Sequence, residues 1–322
     1  MNPQRSIPPF YSSKQGNILR EVLTGLSQTQ KILPGKILFD QKGVETFENV
    51  TDLIRLQQSQ TKRNETYLNL FLKDDDFPAE SYLIEPDCDG SKDIHFLLQG
   101  SANLLGYIPV SPSSDILIHR IGEFRRLFPQ IKTVPVQGDL RIEEDLYNHL
   151  SSFLGRKVLF ASSLMTSRSS RPELIHFLKK ALKYLGGKTS FVFAFTSMTS
   201  QIQDQFFDTS ADLWKNFTIH ALDRLNREVS ADFHLHDFRT ETLFNKQDKR
   251  TDFHLVSKVD QLVKVNQSLF KIKKEESIQA LSLFNHSHED VEEICRKVKL
   301  KIYRTLDTND SFMKFYELVR QR

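Results

Sequence analysis

Several short stretches bring together side chains of the kinds that do chemistry. Asp87, Asp89, Ser91 and Asp93 place oxygen ligands at alternate positions, like the first half of a calcium-binding EF-hand loop. The stretch lacks the glycine and the closing acid that such a loop needs, so the plainer expectation is a polar loop. His234, His236 and Asp237 form a second group, and His286, His288, Glu289 and Asp290 a third. Neither has a matching Cys or His pair at metal-site spacing, so no metal is expected; helix capping and solvated roles are simpler. Ser162 and Ser163 lack a G-x-S-x-G elbow, which argues against a hydrolase. The basic residues Lys179, Lys180, Lys271, Lys273 and Lys274 read as solvated faces.

The composition narrows the options further. The chain has 322 residues, enough for two domains or one large lobed one. Its net charge is +3 with 26% charged residues, a near-neutral mixture that does not suit a dedicated nucleic-acid binder. Hydrophobic residues make up 39% and there are 25 phenylalanines, which excludes a disordered chain. Glycine is scarce: 12 residues, under 4%, against a usual value of about 7%. Few positions therefore allow backbone to approach a phosphate or cofactor closely. Two cysteines, Cys88 and Cys295, cannot make a disulfide framework and suit a reducing compartment. There is no signal-peptide core and no run of 18 apolar residues. The expectation is a soluble cytoplasmic protein with neither a nucleic-acid nor a membrane partner.

The elements that must position these groups follow from periodicity. Residues 1–15 are rich in Pro, Ser and Gln and read as poorly ordered. Helices are expected over 18–26, 44–56 and 64–73. Short apolar runs follow at 82–84, 104–110, 133–136, 157–161 and 189–195, with amphipathic stretches at 115–127, 146–154 and 172–185 between them. That alternation predicts a parallel α/β sheet. Residues 189–195, TSFVFAF, are apolar almost throughout, as in a strand buried on both faces. The pattern then changes: a long helix over 201–228, two period-two hairpins up to residue 277, a helix over 290–299 and a closing hairpin. An insertion of about 90 residues thus interrupts the α/β core, and the N-terminal helices are expected to pack with it.

Two stretches carry a family likeness. Residues 23–53, LTGLSQTQKILPGKILFDQKGVETFENVTDL, resemble the N-terminal signature of the S-adenosylmethionine-dependent, histidine-specific Nα-methyltransferases of ergothioneine synthesis. Residues 221–265, with LDRLNREVSADF and then FHLVSKVDQLVKV, resemble the family's LARLNRELGADF and MHLVS..DQ.V.V at the same spacing. YIPVSPSS and VPVQGDL resemble YVPVDVSE and the later GDF turn. The matches run over about residues 23–318. The resemblance implies a Rossmann-like class I methyltransferase core (63–197 plus 284–322). It also implies an inserted α+β substrate-type domain (1–62 plus 198–283), with substrate between the two.

It further implies where S-adenosylmethionine would sit. The family's first loop reads ELGSG and aligns with Glu85, Pro86, Asp87, Cys88 and Asp89, with Ser91 also kept. Both glycines are replaced, by Asp87 and Asp89. Each carboxylate would face the cofactor's own carboxylate, a repulsion on the order of 4 kcal/mol at ~4 Å and an effective dielectric of about 20. That weakens binding roughly a thousandfold. The ribose-holding Asp aligns with Ser111, which cannot clasp two hydroxyls as a carboxylate does. Asp139 and Leu140 keep the GDF turn, placing Asp139 at the adenine amino group. On the substrate side, the family's tyrosine segment aligns with residues around Gln57, which supply no aromatic ring. The asparagine holding the amino-acid backbone becomes Thr166, a tyrosine becomes Phe207, and polar grips on the imidazole become Leu281 and Leu283.

The framework is kept while the ligand positions change. The leading expectation is a divergent, catalytically impaired member that binds a small molecule in the interdomain cleft, or a protein partner. The alternatives are an active S-adenosylmethionine-dependent N-methyltransferase on another small amine or amino acid, and a regulatory subunit of an active paralogue.

Overall fold

The structure is a computed structural model that describes residues 11–12, 18–57, 80–88, 94, 104–186, 188–196, 210–307 and 313–321. The helix expected at 64–73 lies outside them. In chain order the strands are β1 (Tyr11–Ser12), β2 (Lys31–Ile32), β3 (Ser81–Pro86), β4 (Leu104–Ser111), β5 (Val136–Gln137), β6 (Arg156–Ala161), β7 (Thr189–Thr196), β8 (Phe238–Asn245), β9 (Arg250–Ser257), β10 (Gln261–Val265), β11 (Ser268–Ile272), β12 (Ser277–Phe284), β13 (Leu300–Asp307) and β14 (Met313–Arg320). The helices are α1 (Ile18–Leu26), α2 (Gln41–Gln57), α3 (Ser114–Leu127), α4 (Glu144–Ser151), α5 (Ser163–Ser167), α6 (Arg171–Tyr184), α7 (Ala211–Glu228) and α8 (His288–Val298).

The main sheet has the order β1-β5-β4-β3-β6-β7-β14-β13. Strands β1 and β3–β7 run parallel, and β14 lies antiparallel between β7 and β13. Without the short edge strand β1 this is the doubly wound order of a Rossmann-like methyltransferase core, closed by a reversed hairpin. The chain leaves β3 to one side through β4 and returns to its other side through β6. The carboxyl ends of β3, β4 and β6 therefore meet at a topological switch point, where open α/β sheets bind ligands.

The boundaries are set by local chemistry. Ser113 and Ser162 cap α3 and α5 by accepting from Ile116 and Met165 N–H groups at 3.3 Å each. Ser170 with Glu173, and Ser287 with Asp290, form capping boxes at α6 and α8. Two expectations are corrected. The strand expected over 133–136 is β5, because Pro135 has no N–H to donate; Thr133 keeps one isolated bridge to Tyr107. Tyr11 and Ser12, expected to be poorly ordered, pair with Val136 and Gln137.

The second sheet, β2-β12-β9-β8, draws its edge strand from the N-terminal segment and the rest from the insertion. An aromatic cluster fastens these pieces. Phe39 meets Phe217 at 5.5 Å, Phe47 meets Trp214 at 6.1 Å, and Trp214 stacks on Phe253 at 4.6 Å. The same buried cluster reaches Ile116, Leu117, Ile121, Leu164 and Cys88 of the main sheet's layer. Packing is thus continuous between the sheets. Two glycines allow close packing within the N-terminal segment: a Cβ at Gly25 would lie 2.0 Å from the Ile32 carbonyl, and one at Gly43 would lie 1.8 Å from that of Leu38. Among the described residues no helix is long and apolar enough to cross a membrane.

Candidate functional site

The site lies beyond the carboxyl ends of β3, β4 and β6. Asp87 follows β3 and has φ +58°, a left-handed conformation that glycine adopts freely and aspartate tolerates better than most residues. The backbone thus keeps the shape of a glycine turn while carrying a carboxylate. That carboxylate is buried and paired. Arg168 Nη2 reaches Asp87 Oδ2 at 2.7 Å, with both side chains only 5% exposed. Arg141 Nη1 reaches the same oxygen at 3.2 Å. The uncompensated like charge expected at Asp87 is therefore corrected: two guanidinium groups neutralise it, and charge-assisted bonds of this kind are the stronger class.

The chain of charges continues. Arg141 forks onto Asp139, Nε to Oδ1 at 3.0 Å and Nη2 to Oδ2 at 2.9 Å, and its N–H donates to Oδ1 at 2.9 Å. At the other end the Arg168 guanidinium sits 4.1 Å from the centre of the Phe39 ring, a cation–π contact to the N-terminal segment. Asp139, Arg141, Asp87, Arg168 and Phe39 thus form one bridge across the switch point. Sequence reasoning singled out Asp87 and Asp139 but not Arg141, Arg168 or Phe39. Arg168 lies 81 residues from Asp87 in the chain, and no local pattern links them. A buried carboxylate's need for a counter-charge was the available signal.

Beneath the bridge the other family positions are engaged in structure. Glu85 is fully buried and accepts a short hydrogen bond from the Tyr107 hydroxyl. Burial pushes the Tyr107 hydroxyl pKa well up, and the nearby Glu85 charge adds to the rise. Arg120, 2% exposed, donates through Nε to the Cys88 carbonyl at 3.1 Å. Burial opposes its charge, but Glu85, Tyr107, Cys88 and Glu123 together outweigh that effect and raise its pKa. Ser111 is buried; its Oγ accepts from the Ser113 N–H at 3.2 Å, and its carbonyl accepts from the Gly138 N–H at 2.9 Å. Leu140 is buried in the main core. Asp89, Ser91 and Phe207 lie outside the described residues, as does the side chain of Gln57 at the end of α2.

Thr166 sits in the one-turn helix α5. Its hydroxyl donates to the Ala194 carbonyl of β7 at 2.6 Å. His286, 5% exposed, places Nε2 at 2.9 Å from the Ser169 carbonyl and 3.2 Å from that of Thr166. Burial lowers the His286 pKa against the raising effect of these carbonyls, so the neutral ring donates through Nε2. Thr166→Val should lower stability by about 1–2 kcal/mol, because a buried carbonyl loses its hydroxyl donor. A urea unfolding midpoint checks it, and an unchanged midpoint would remove this bond from those that matter.

The bridge borders a cavity of about 860 Å³ between the two sheets. The core lines it with Asp139, Arg141, Ile142, Arg168, Ser169, Pro172, Glu173, His176 and Lys180. The second sheet and N-terminal segment supply Glu21, Ile32 to Lys36, Gln279 to Ser282 and Phe284. Leu281 is therefore on the cavity wall, whereas Leu283 packs against the neighbouring hydrophobic cluster. Gln279 Nε2 and Ser282 Oγ both donate to Asp252 Oδ1, at 3.2 and 2.5 Å, and give that wall a polar floor. Of the metal candidates, His286 is the carbonyl donor above and His288 stacks on Tyr316 at 5.7 Å. Among the described residues no three His, Cys, Asp or Glu side chains come together to hold a metal ion.

Three of the positions that the resemblance assigns to S-adenosylmethionine are engaged differently here. No carboxylate ends β4 for the ribose hydroxyls, Asp139 is held by a bidentate arginine, and Asp87 is buried in ion pairs.

Comparison with known proteins adds the following. A family model described as histidine-specific methyltransferase, SAM-dependent, matches residues 18–320. None of the curated proteins matches the sequence. Among solved structures, the chain is similar to the PH0226 protein from Pyrococcus horikoshii OT3, at 13% identity over 82% of this chain and 92% of that one, with a TM-score of 0.48. It is similar to Streptomyces venezuelae DesVI at 14% identity over 85% and 98%, with a TM-score of 0.41. It also resembles the glycopeptide N-methyltransferase MtfA complexed with (S)-adenosyl-L-methionine, at 11% identity over 80% and 94%, with a TM-score of 0.41.

Proposed function

The chain belongs to the histidine-specific, SAM-dependent methyltransferase family, and on that premise we propose that it is a member that binds a ligand instead of methylating one. The observation that carries this reading is the bridge Asp139–Arg141–Asp87–Arg168 across the cofactor end of the cleft. S-adenosylmethionine is itself a cation at its sulfonium and ammonium groups. Here two of the protein's own cations hold the carboxylates at the adenine-facing and methionyl-facing ends. A cofactor entering would have to displace Arg168 from a carboxylate that shares its 5% exposure, leaving a buried charge without its partner.

Three further features support the reading. Ser111 stands where a ribose carboxylate would. The Thr166 hydroxyl is bonded to the Ala194 carbonyl and is not presented to a substrate amine. Leu281 replaces a polar grip on the cavity wall.

Calorimetric titration with S-adenosylmethionine and S-adenosylhomocysteine tests it. The expected result is no saturable heat up to millimolar cofactor. Dissociation constants in the micromolar range would sink the reading and favour an active N-methyltransferase on another amine. A protein found only with an active paralogue bound would favour the regulatory-subunit alternative.

A further inference from the structure

The cavity beside the bridge has a charge pattern of its own. Each carboxylate on its wall is engaged. Glu21 pairs with Lys36 at 2.6 Å, Asp139 with Arg141 at 2.9 Å, and Glu173 accepts from the Ser170 N–H and hydroxyl at 2.7 and 2.6 Å. Lys180 differs. Among the described residues its ammonium forms no ion pair and meets only the carbonyls of Arg141 and Ile142, at 3.3 and 3.5 Å. These are long for a charged donor, so an incoming anion can take its place among them. Beside it the Ile142 side chain is 59% exposed, an apolar surface at the same rim. Across the cavity stand Leu33, Pro34, Leu281 and Phe284.

A zwitterionic amino acid suits this cavity poorly. Its ammonium would find every wall carboxylate engaged, and the Thr166 hydroxyl is engaged too. A carboxylate finds Lys180, and an apolar body finds the opposite wall. The volume, about 860 Å³, falls within the range that small-molecule sites occupy.

We infer that the cavity binds a small monocarboxylic acid with an apolar body, its carboxylate on Lys180 and its body against Leu33, Leu281 and Phe284. The inference rests on the binding reading above.

The test uses the full chain, with decanoate and 4-phenylbutyrate as probes and decylamine and histidine as controls, followed by calorimetry. At least one acid should saturate at micromolar to submillimolar concentration, while decylamine and histidine show no binding. Lys180→Gln should weaken the acid at least tenfold, which is the loss of one charge-assisted contact, and Lys180→Arg should restore most of it. Leu281→Gln, on the opposite wall, gives a second variant that should also weaken the acid. Absence of acid binding, equal binding of decylamine, or unchanged affinity in Lys180→Gln would each overturn the inference. Micromolar binding of S-adenosylmethionine in the same titrations would instead overturn the underlying reading. Failure of both acid and cofactor to bind overturns this inference alone.

Discussion

Replacing Asp87 with glycine should destabilise the protein by about 1–4 kcal/mol, although the family resemblance aligns a glycine there. Two effects compete. Glycine at φ +58° removes a left-handed strain on the order of 1–2 kcal/mol for an L-residue. The same change strips the counter-charge from Arg168, which is 5% exposed, and breaking a buried pair from one side costs about 3–5 kcal/mol. The ion pair wins. Arg141 suffers less, because Asp139 still holds it with two bonds. Asp87→Asn separates the terms: asparagine tolerates the left-handed backbone, so its loss should come almost wholly from charge. Asp87→Gly combined with Arg168→Met should recover most of the loss, since removing both members of a buried pair is often near neutral. Chemical denaturation of the four proteins checks this. A single glycine variant as stable as the parent would show that the bridge does not hold the loop.

The second large effect belongs to Asp40, which joins the N-terminal segment to α7. Its Oδ1 accepts from the Gly43 N–H at 2.8 Å, capping α2, and lies 2.6 Å from His220 Nε2. Its Oδ2 accepts from Arg227 at 2.8 Å. Burial alone would raise the carboxyl pKa. The bonds from His220, Gly43 and Arg227 outweigh burial and hold it far below its ordinary value of 3.8. Asp40→Ala should therefore cost about 2–4 kcal/mol, a lost cap plus a lost, partly buried charge pairing. Asp40→Asn should cost less, because the amide oxygen can still cap.

The pH dependence has a definite sign. A carboxyl with a depressed folded-state pKa contributes stability that is fully present above the unfolded value of 3.8 and fades as pH falls below it. The gap between parent and Asp40→Asn should be constant at neutral pH and shrink progressively as pH falls below 3.8. Urea midpoints at several pH values measure it. A gap that widened on acidification would refute the assignment of this carboxylate as the charged partner.

Some of the site was legible before any coordinates. Glu85, Asp87, Ser111 and Asp139 fall at strand ends, because the strands were marked by apolar runs and the loops by the polar residues between them. The family resemblance, and not periodicity, is what singles them out. Neither shows their partners. Asp87 looked like a source of repulsion because the sequence shows its charge and not the two arginines that meet it. Thr166 looked like a ligand position, and its hydroxyl turned out to face a β7 carbonyl. Hydrogen-bond partners of that kind are settled by how a one-turn helix lies on a strand.

The sequence by itself determined the alternation of strands and helices and the hairpins of the insertion. Both rest on periodicity or on contacts within a few residues. The tertiary structure alone decided what the substitutions do. It brought Arg141 and Arg168 onto Asp87, set Arg168 over Phe39, and left Lys180 on the cavity wall in no ion pair among the described residues. The reason is physical. The sign and size of an electrostatic effect depend on burial and on distances of a few ångströms, and neither exists until distant segments pack.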